Sequence, residues 1–214
     1  MTTGCLVNDD CQRSPFDELL PEVMMAAQGI GSDMAIHYLR DATITFCKRS
    51  KVLVQDLMVK LQSCVDNPII EPLCDDLQIV SLHKVCGREV IASTPCPCDA
   101  WGCKVRFLPP NQLQLFPAPP ASALDREMMV TVSVTLKRDA CDIPTVLLDR
   151  YGETIVAGAL LKLYEIPNTP FHNLRLSELK RREFENGITA AGLDRLLGYA
   201  MGPIPIRRMH HRIV

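Results

Sequence analysis

The apolar residues of this chain change their spacing twice, and that change constrains the fold more than any other feature of the sequence. In the middle of the chain, apolar residues alternate strictly with polar or small ones, which is typical of a β-strand with one buried face. They are Met128, Val130, Val132, Val134 and Leu136. Before and after this region, apolar residues recur every three or four positions, as in amphipathic helices. The order predicts an α+β fold, with a helical bundle built from both ends of the chain, an inserted antiparallel β-domain and extended termini.

Two helices are expected before the strands. The first covers residues 16–27, between a proline and two glycines that are typical helix boundaries. The second begins at an N-cap formed by Ser32 or Asp33 and continues to about Ser50. Residues 52–65 fit two structures, because their β-branched side chains allow a strand and their length allows a continued helix.

Two longer helices are expected after the strands. One begins after Pro144 and ends before Pro167, and the other covers residues 174–197. The small residues Gly158 and Ala159 in the first of these helices would let another helix approach closely.

These patterns divide the chain into five segments, and helices from its two ends must then pack together. The segments are a flexible N-terminal arm at 1–18, a first helical half at 19–66, an inserted β-domain at 77–140, a second helical half at 144–200 and an extended basic tail at 201–214. Within the β-domain, alternating apolar residues on both sides of 109–111, Pro-Pro-Asn, predict a hairpin.

Composition excludes some classes of protein. With 47% hydrophobic residues the chain can bury a core, and its formal net charge of −2 argues against a general nucleic-acid binder. Residues 1–10 are polar and do not resemble a signal peptide, and the apolar stretch 154–166 is too short to span a bilayer. We therefore expect a protein that is made in a cytoplasm and does not enter a membrane.

The sequence carries few signs of catalysis. It has no Gly-rich phosphate loop, no GxSxG and no HExxH, so we expect a non-enzymatic protein without cofactors. The acidic pair Asp75 and Asp76 is expected to cap a loop. The charged run 180–183 is either a solvated helix face or part of an interface.

Ten cysteines are many for a protein with no secretion signal, and we expect most of them to be reduced thiols. One group has the residue types for a tetrahedral zinc site: Cys96, Cys98 and Cys103, with His83 or Cys86 upstream. Its spacing lacks the paired knuckles of a zinc ribbon, so an exposed hairpin tip with free thiols is the alternative, and no metal is expected.

Two stretches, residues 20–50 and 143–191, resemble the helical halves of head-to-tail adaptor (connector) proteins of tailed bacteriophages of the podovirus and siphovirus type. The shared features are an aromatic–Cys pair, a helix that follows an Ile-Pro step and has an Ala-Gly-Ala-Leu core, a Pro-rich loop with an aromatic residue and Asn, and a final helix with Phe and Gly-Ile. In this sequence they are Phe46, Cys47, Ile143, Pro144, Tyr151, Glu153, residues 157–160, Pro167, Pro170, Phe171, Asn173, Phe184, Gly187 and Ile188, with a Pro-rich strand end at 115–119.

The resemblance implies a structural virion protein in the neck, at the junction of head and tail. Such adaptors form a homo-oligomeric ring, dodecameric in related proteins, that docks under the capsid portal protein. The ring receives the tail tube or nozzle protein and lets the genomic DNA pass. Assembly would take place in the host cytoplasm.

The resemblance also gives the basic tail a role, because related adaptors often carry a C-terminal extension that reaches onto the portal. Apolar residues of the tail would fill pockets, and its arginines would pair with portal carboxylates. The candidate portal-binding residues are Ile204, Ile206, Arg207, Arg208, Met209, Arg212 and Ile213. A solvated terminus is the alternative.

Two other functions fit parts of the sequence. A small DNA-binding protein would use the basic tail as a phosphate-contacting arm, and its duplex binding would be sensitive to salt. A metal-binding accessory protein would be built on the cysteine group and would hold stoichiometric metal.

Overall fold

The computed structural model describes residues 12–61, 68–85, 88–89, 104–116 and 127–197. Within these ranges the chain has the predicted α+β fold, in which helices from both ends of the sequence pack beside antiparallel strands. The α-helices are α1 (Leu20–Ala26), α2 (Ser32–Ser50), α3 (Thr145–Leu163) and α4 (Leu174–Leu196), and a 3-10 turn at Phe16–Leu19 precedes α1.

The strands form three antiparallel groups. The largest is a four-stranded sheet with the order β2-β7-β3-β4, and the others are the pairs β5-β6 and β1-β8. The strands are β1 (Arg13–Pro15), β2 (Val54–Lys60), β3 (Leu77–Val85), β4 (Arg88–Glu89), β5 (Lys104–Leu108), β6 (Gln112–Phe116), β7 (Glu127–Leu136) and β8 (Asp142–Pro144). The hairpin predicted across 109–111 is confirmed by the pairing of β5 with β6.

Strand β7 joins the sheet to the helices. Its alternating apolar residues are buried, as predicted, and it lies between β2 and β3 in the sheet. Helix α2 packs against β7, where the Thr135 hydroxyl donates a hydrogen bond of 3.3 Å to the carbonyl oxygen of Ile44. Buried side chains of the sheet, such as Val132, and of the helices, such as Phe46 and Leu147, belong to one continuous core. Sheet and helices therefore form one packed unit.

Helices α3 and α4 lie unusually close together, which confirms the prediction made from Gly158. A Cβ atom placed on Gly158 would lie 2.6 Å from Cε2 of Phe184 on α4, far inside van der Waals contact. A Cβ atom placed on Gly187 of α4 would likewise lie too close to the side chain of Thr154 on α3. The two helices can approach only because each has a glycine where the other has a large or branched side chain.

The first helical half is shorter than the predicted 19–66. Helix α2 ends at Ser50 because Lys51 adopts a left-handed conformation, with φ at 53°, and residues 54–60 then form β2. The open choice for 52–65 is thus decided for a strand at 54–60, which pairs with β7 along its whole length.

The N-cap of α2 is Gly31, whose backbone is extended, so the N-cap predicted at Ser32 or Asp33 is wrong by one residue or two.

The predicted arm at 1–18 is wrong for its last residues. Strand β1 pairs with β8, and Phe16 is buried at 1% exposure. Nη2 of Arg13 lies 2.6 Å from a carboxylate oxygen of Asp76, so Asp76 holds this segment against the sheet as well as lying in a loop. Pairing partners more than 120 positions away fix this segment, and local sequence patterns do not show them.

Candidate interaction surface

Helix α4 exposes several large apolar side chains. Asn173 caps the helix, because its side-chain oxygen accepts hydrogen bonds of 3.1 Å from the backbone N–H groups of Arg175 and Leu176. The buried face consists of Ser177, Phe184, Ile188 and Ala191, at three-, four- and seven-residue steps.

Several leucines of α4 outside this buried face are exposed to solvent. Leu179 and Leu193 are each 50% exposed, and Leu196 is 68% exposed. Single exposed leucines are ordinary on protein surfaces, but several on one helix indicate a surface that another molecule covers. We call Leu179, Leu193 and Leu196 the α4 flank.

Helix α1 exposes a second apolar group, Met24 at 42% and Met25 at 77%. We call these two methionines the α1 flank. Methionine side chains adapt well to the shape of a partner. The Tyr164 hydroxyl donates a hydrogen bond of 3.4 Å to the carbonyl oxygen of Ala26, which places the end of α1 beside the end of α3.

The two flanks lie on different sides of α3. On the α1 side, a Cβ atom on Gly152 would lie 3.3 Å from Cδ2 of Leu19, just before α1. On the α4 side, Thr154 contacts Gly187. Residues two positions apart point to different sides of a helix, so α1 and α4 pack on different sides of α3.

The charged run 180–183 lies on the exposed surface of α4. Nζ of Lys180 is 2.7 Å from a carboxylate oxygen of Glu183, and Nη2 of Arg181 is 2.6 Å from one of Glu165. Exposed pairs of this kind contribute little to stability. The arrangement fits a solvated helix face.

A bidentate ion pair joins α4 to α2. Both terminal nitrogens of Arg49 lie 2.5 Å from the two carboxylate oxygens of Glu185. Hydrogen bonding with Arg49 lowers the pKa of the Glu185 carboxyl, and the same contact raises the pKa of Arg49. Both groups therefore stay charged at neutral pH, and the pair links α4 to α2 at the surface.

Most of the site residues predicted from sequence lie outside the described ranges. These are the portal-binding candidates Ile204, Ile206, Arg207, Arg208, Met209, Arg212 and Ile213, and the cysteines Cys86, Cys96, Cys98 and Cys103. His83, the upstream zinc candidate, lies in β3 beside Arg195 of α4. In the described part of the chain, no three His, Cys, Asp or Glu residues are grouped so as to hold a metal ion.

The three described cysteines differ from one another. Cys47 is a free thiol in the core, and Cys141 is free and exposed. Burial raises the pKa of the Cys47 thiol to about 12, against a smaller lowering by a hydrogen bond with Thr135, so Cys47 is unreactive. Cys74 is disulfide-bonded, so it is not one of the reduced thiols that are expected for most of the cysteines.

Sequence reasoning did not identify the two apolar flanks. Met24, Met25 and Leu193 lie in predicted helices, but the sequence does not predict whether they are on the buried or the exposed side. Which side of a helix is buried depends on the elements that pack against it. The sequence signal for a flank is that each helix has more apolar residues than its buried face can hold.

No protein-family model matches the chain, and no curated protein matches it. None of the helices in the described ranges has the length and apolar character needed to cross a bilayer.

Proposed function

We propose that this chain is a structural virion protein of a tailed bacteriophage, which assembles into a ring between the capsid portal and the tail tube or nozzle. The resemblance of residues 20–50 and 143–191 to head-to-tail adaptors suggests this function. One observation carries it in structural terms: apolar side chains are exposed on two different sides of the helical unit, at Met24 and Met25 and at Leu193 and Leu196.

A ring needs two different surfaces on each subunit. Identical subunits that associate head to tail place one surface of each copy against another surface of the next copy, and the chain closes when the rotation allows. The α1 flank and the α4 flank satisfy the first condition, because they lie on different sides of α3. Both are also apolar, which favours burial in an interface.

Two single substitutions test this arrangement. Met25→Glu places a charge on the α1 flank, and Leu193→Glu places one on the α4 flank. Each is expected to abolish oligomers of the full chain at high protein concentration, as measured by analytical ultracentrifugation and negative-stain microscopy. Met58→Glu is the matched control, since Met58 is 61% exposed on the sheet and lies on neither flank.

A mixture of the two variants distinguishes a ring from a symmetric dimer. Met25→Glu retains the α4 flank and Leu193→Glu retains the α1 flank, so an equimolar mixture should form heterodimers and stop there. If the unsubstituted protein forms no oligomer at high concentration, or if the Met25→Glu variant still forms dimers with itself, the head-to-tail ring is contradicted.

A further inference from the structure

A cavity of about 410 Å³ lies where the last turn of α4 meets the sheet and the first turns of α3. One part of its wall is apolar. That part consists of Val52, Leu53, Val54, Val146, Leu147 and Leu196. A cavity of this size accommodates a small organic molecule or a side chain with its neighbouring backbone.

The polar part of the wall is positively charged. Lys84, Arg150 and Arg195 line the cavity, and within the described part of the chain none of its lining residues is Asp or Glu. The carboxylate of Asp194 accepts a hydrogen bond of 3.2 Å from the hydroxyl of Tyr151, but Asp194 is not among the lining residues. A mostly apolar wall with a few converging charged groups is typical of a ligand site.

An irregularity in β3 brings two of the polar residues to this cavity. The pairing with β7 shifts between Leu82 and Lys84, so His83 has no partner in the register. In a regular strand, neighbouring residues point to opposite faces, whereas His83 and Lys84 both line the cavity. Bulges of this kind are common beside functional sites, where they redirect side chains.

The hydrogen bonds of His83 fix which of its nitrogens carries the proton. Nη1 of Arg195 lies 3.1 Å from Nδ1 of His83. Arginine can only donate, so Nδ1 accepts and the proton of the neutral ring is on Nε2. Burial, followed by the charge of Arg195, lowers the pKa of His83 to about 4 and keeps the ring neutral at pH 7.

Two hydrogen-bond donors at this place have no acceptor. Nε2 of His83 and Nε of Arg195 are both buried, and neither has a partner in the described part of the chain. A buried donor without an acceptor costs about 1–3 kcal/mol, and more when the group is charged. An anionic oxygen that reached these donors would remove this cost, and its charge would offset the repulsion among the cations that line the cavity.

We propose that this cavity is a binding site for a carboxylate carried on an apolar stem. The guanidinium of Arg195 matches a carboxylate in geometry and charge, and the Nε2–H group of His83 supplies a second donor. The apolar wall takes the stem, which inorganic phosphate lacks. His83 and Arg195 belong to one subunit, so the binding test does not require ring formation, but the apolar wall shares Leu196 with the α4 flank.

Calorimetric titration of the full chain at pH 7 tests the site with 4-methylpentanoate as the probe. We expect saturable one-to-one binding, and roughly tenfold weaker binding or more for the uncharged 4-methylpentanamide. Inorganic phosphate tests whether the stem matters, and it should bind more weakly than the acid. Absence of saturable acid binding, or equal binding of the acid and the amide, would overturn the proposal, and equal binding of phosphate would overturn the apolar stem.

Variants assign the binding to this cavity. Arg195→Gln should weaken acid binding by roughly tenfold. Arg175→Gln, which makes the same change at the exposed start of the same helix, should leave it unchanged. Thermal unfolding verifies that each variant is folded. Equal binding by both variants would place the acid elsewhere and reject the site.

Bound carboxylate should also raise the pKa of His83, because a negative charge beside the ring favours its protonated form. NMR titration of the His83 ring with and without 4-methylpentanoate measures this rise, and an unchanged pKa contradicts contact with the ring.

A peptide, acetyl-Leu-Val-Glu-Val-Leu-amide, then distinguishes the sources of the carboxylate. Tighter binding of the peptide than of the free acid assigns the cavity to an acidic segment of a protein partner, and weaker binding assigns it to a small molecule.

Discussion

The middle turns of α4 and its last turn meet the rest of the protein through contacts of opposite chemistry. In the middle, Phe184 is 3% exposed and lies against Gly158, and its ring is 6.5 Å from that of Phe46. At the last turn, Arg195 contacts His83 near other cations, and both side chains have buried donors that find no acceptor among the described residues. The contact of Phe184 with Gly158 leaves no space between the helices, whereas the contact of Arg195 with His83 borders a cavity.

This difference indicates a division of roles along one helix. Apolar close packing stabilises the fold, whereas unpaired charge beside a cavity lowers stability and is typical of places where function is located. The middle of α4 should therefore dominate the free energy of unfolding, and the last turn should contribute little to it or oppose it.

The largest expected effect is that of Phe184→Ala. Removal of this ring leaves a cavity beside Phe46 and Tyr151, whose own rings are 5.1 Å apart, and should lower the free energy of unfolding by about 3–5 kcal/mol in urea denaturation. Leu174→Ala on the same helix, where the leucine is 63% exposed, should change it by less than about 0.5 kcal/mol. Similar losses in the two variants would contradict the dominance of the middle turns.

Gly158→Ala should have a smaller effect of the same sign. The added methyl group meets the Phe184 ring, so α3 and α4 must separate, at a cost of about 1–3 kcal/mol in the free energy of unfolding.

Gly192→Ala is the matched control with the opposite sign. Its new Cβ atom would meet nothing nearer than the Ser50 carbonyl oxygen, at 3.8 Å, so helix propensity should stabilise the protein by about 0.5–1 kcal/mol. Calorimetric melting of the two variants measures both, and stabilisation by Gly158→Ala would mean that the helices are not in close contact.

The smallest expected effect is on the pH dependence of stability, through His83 beside the last turn of α4. The pKa of His83 is about 4 in the folded protein, below the ordinary value of 6.5, because of burial and the neighbouring cations Arg195, Lys51 and Lys84. Between these two values the unfolded chain binds more protons than the folded one, so stability falls as pH falls from about 6.5 towards 4. Allowing for partial solvent exposure, we expect this residue to account for about 1 kcal/mol of that fall.

His83→Gln should remove that part of the pH dependence, as measured by urea denaturation at pH 7 and pH 4.5. The exposed His37, replaced by Gln, serves as the control and should retain the full dependence. An unchanged slope in the His83→Gln variant would show that the last turn does not hold a neutral histidine.

The sequence predicted the parts of the fold that local patterns determine. The alternation through Val130 and Val132 predicted β7, and the Gly158–Ala159 pair predicted the close contact with α4. Both signals are local, because a buried face imposes its period and a close approach requires a small residue. The sequence does not decide between strand and helix at 54–60, because the decision comes from pairing with β7 more than 65 residues later.

The candidate cavity was beyond sequence reasoning for the same reason. His83 and Arg195 are 112 positions apart, and each alone resembles an ordinary strand or helix residue. His83 was considered only as a zinc ligand, because cysteines follow it in the sequence. The bulge that brings His83 and Lys84 to one cavity has no sequence signal of its own.

The pairing of β1 with β8 has a consequence for the order of events during synthesis. Ser14 bonds to Thr145, 131 positions later, so the first described strand has no partner until two thirds of the chain has left the ribosome. The 3-10 turn and α1, which carry the buried Phe16 and Val23, contact both α2 and α3, so their cover stays incomplete until α3 has been made. Such late closure slows folding and exposes apolar surface to other nascent chains, so production of this protein should depend on chaperones more than its size alone would suggest.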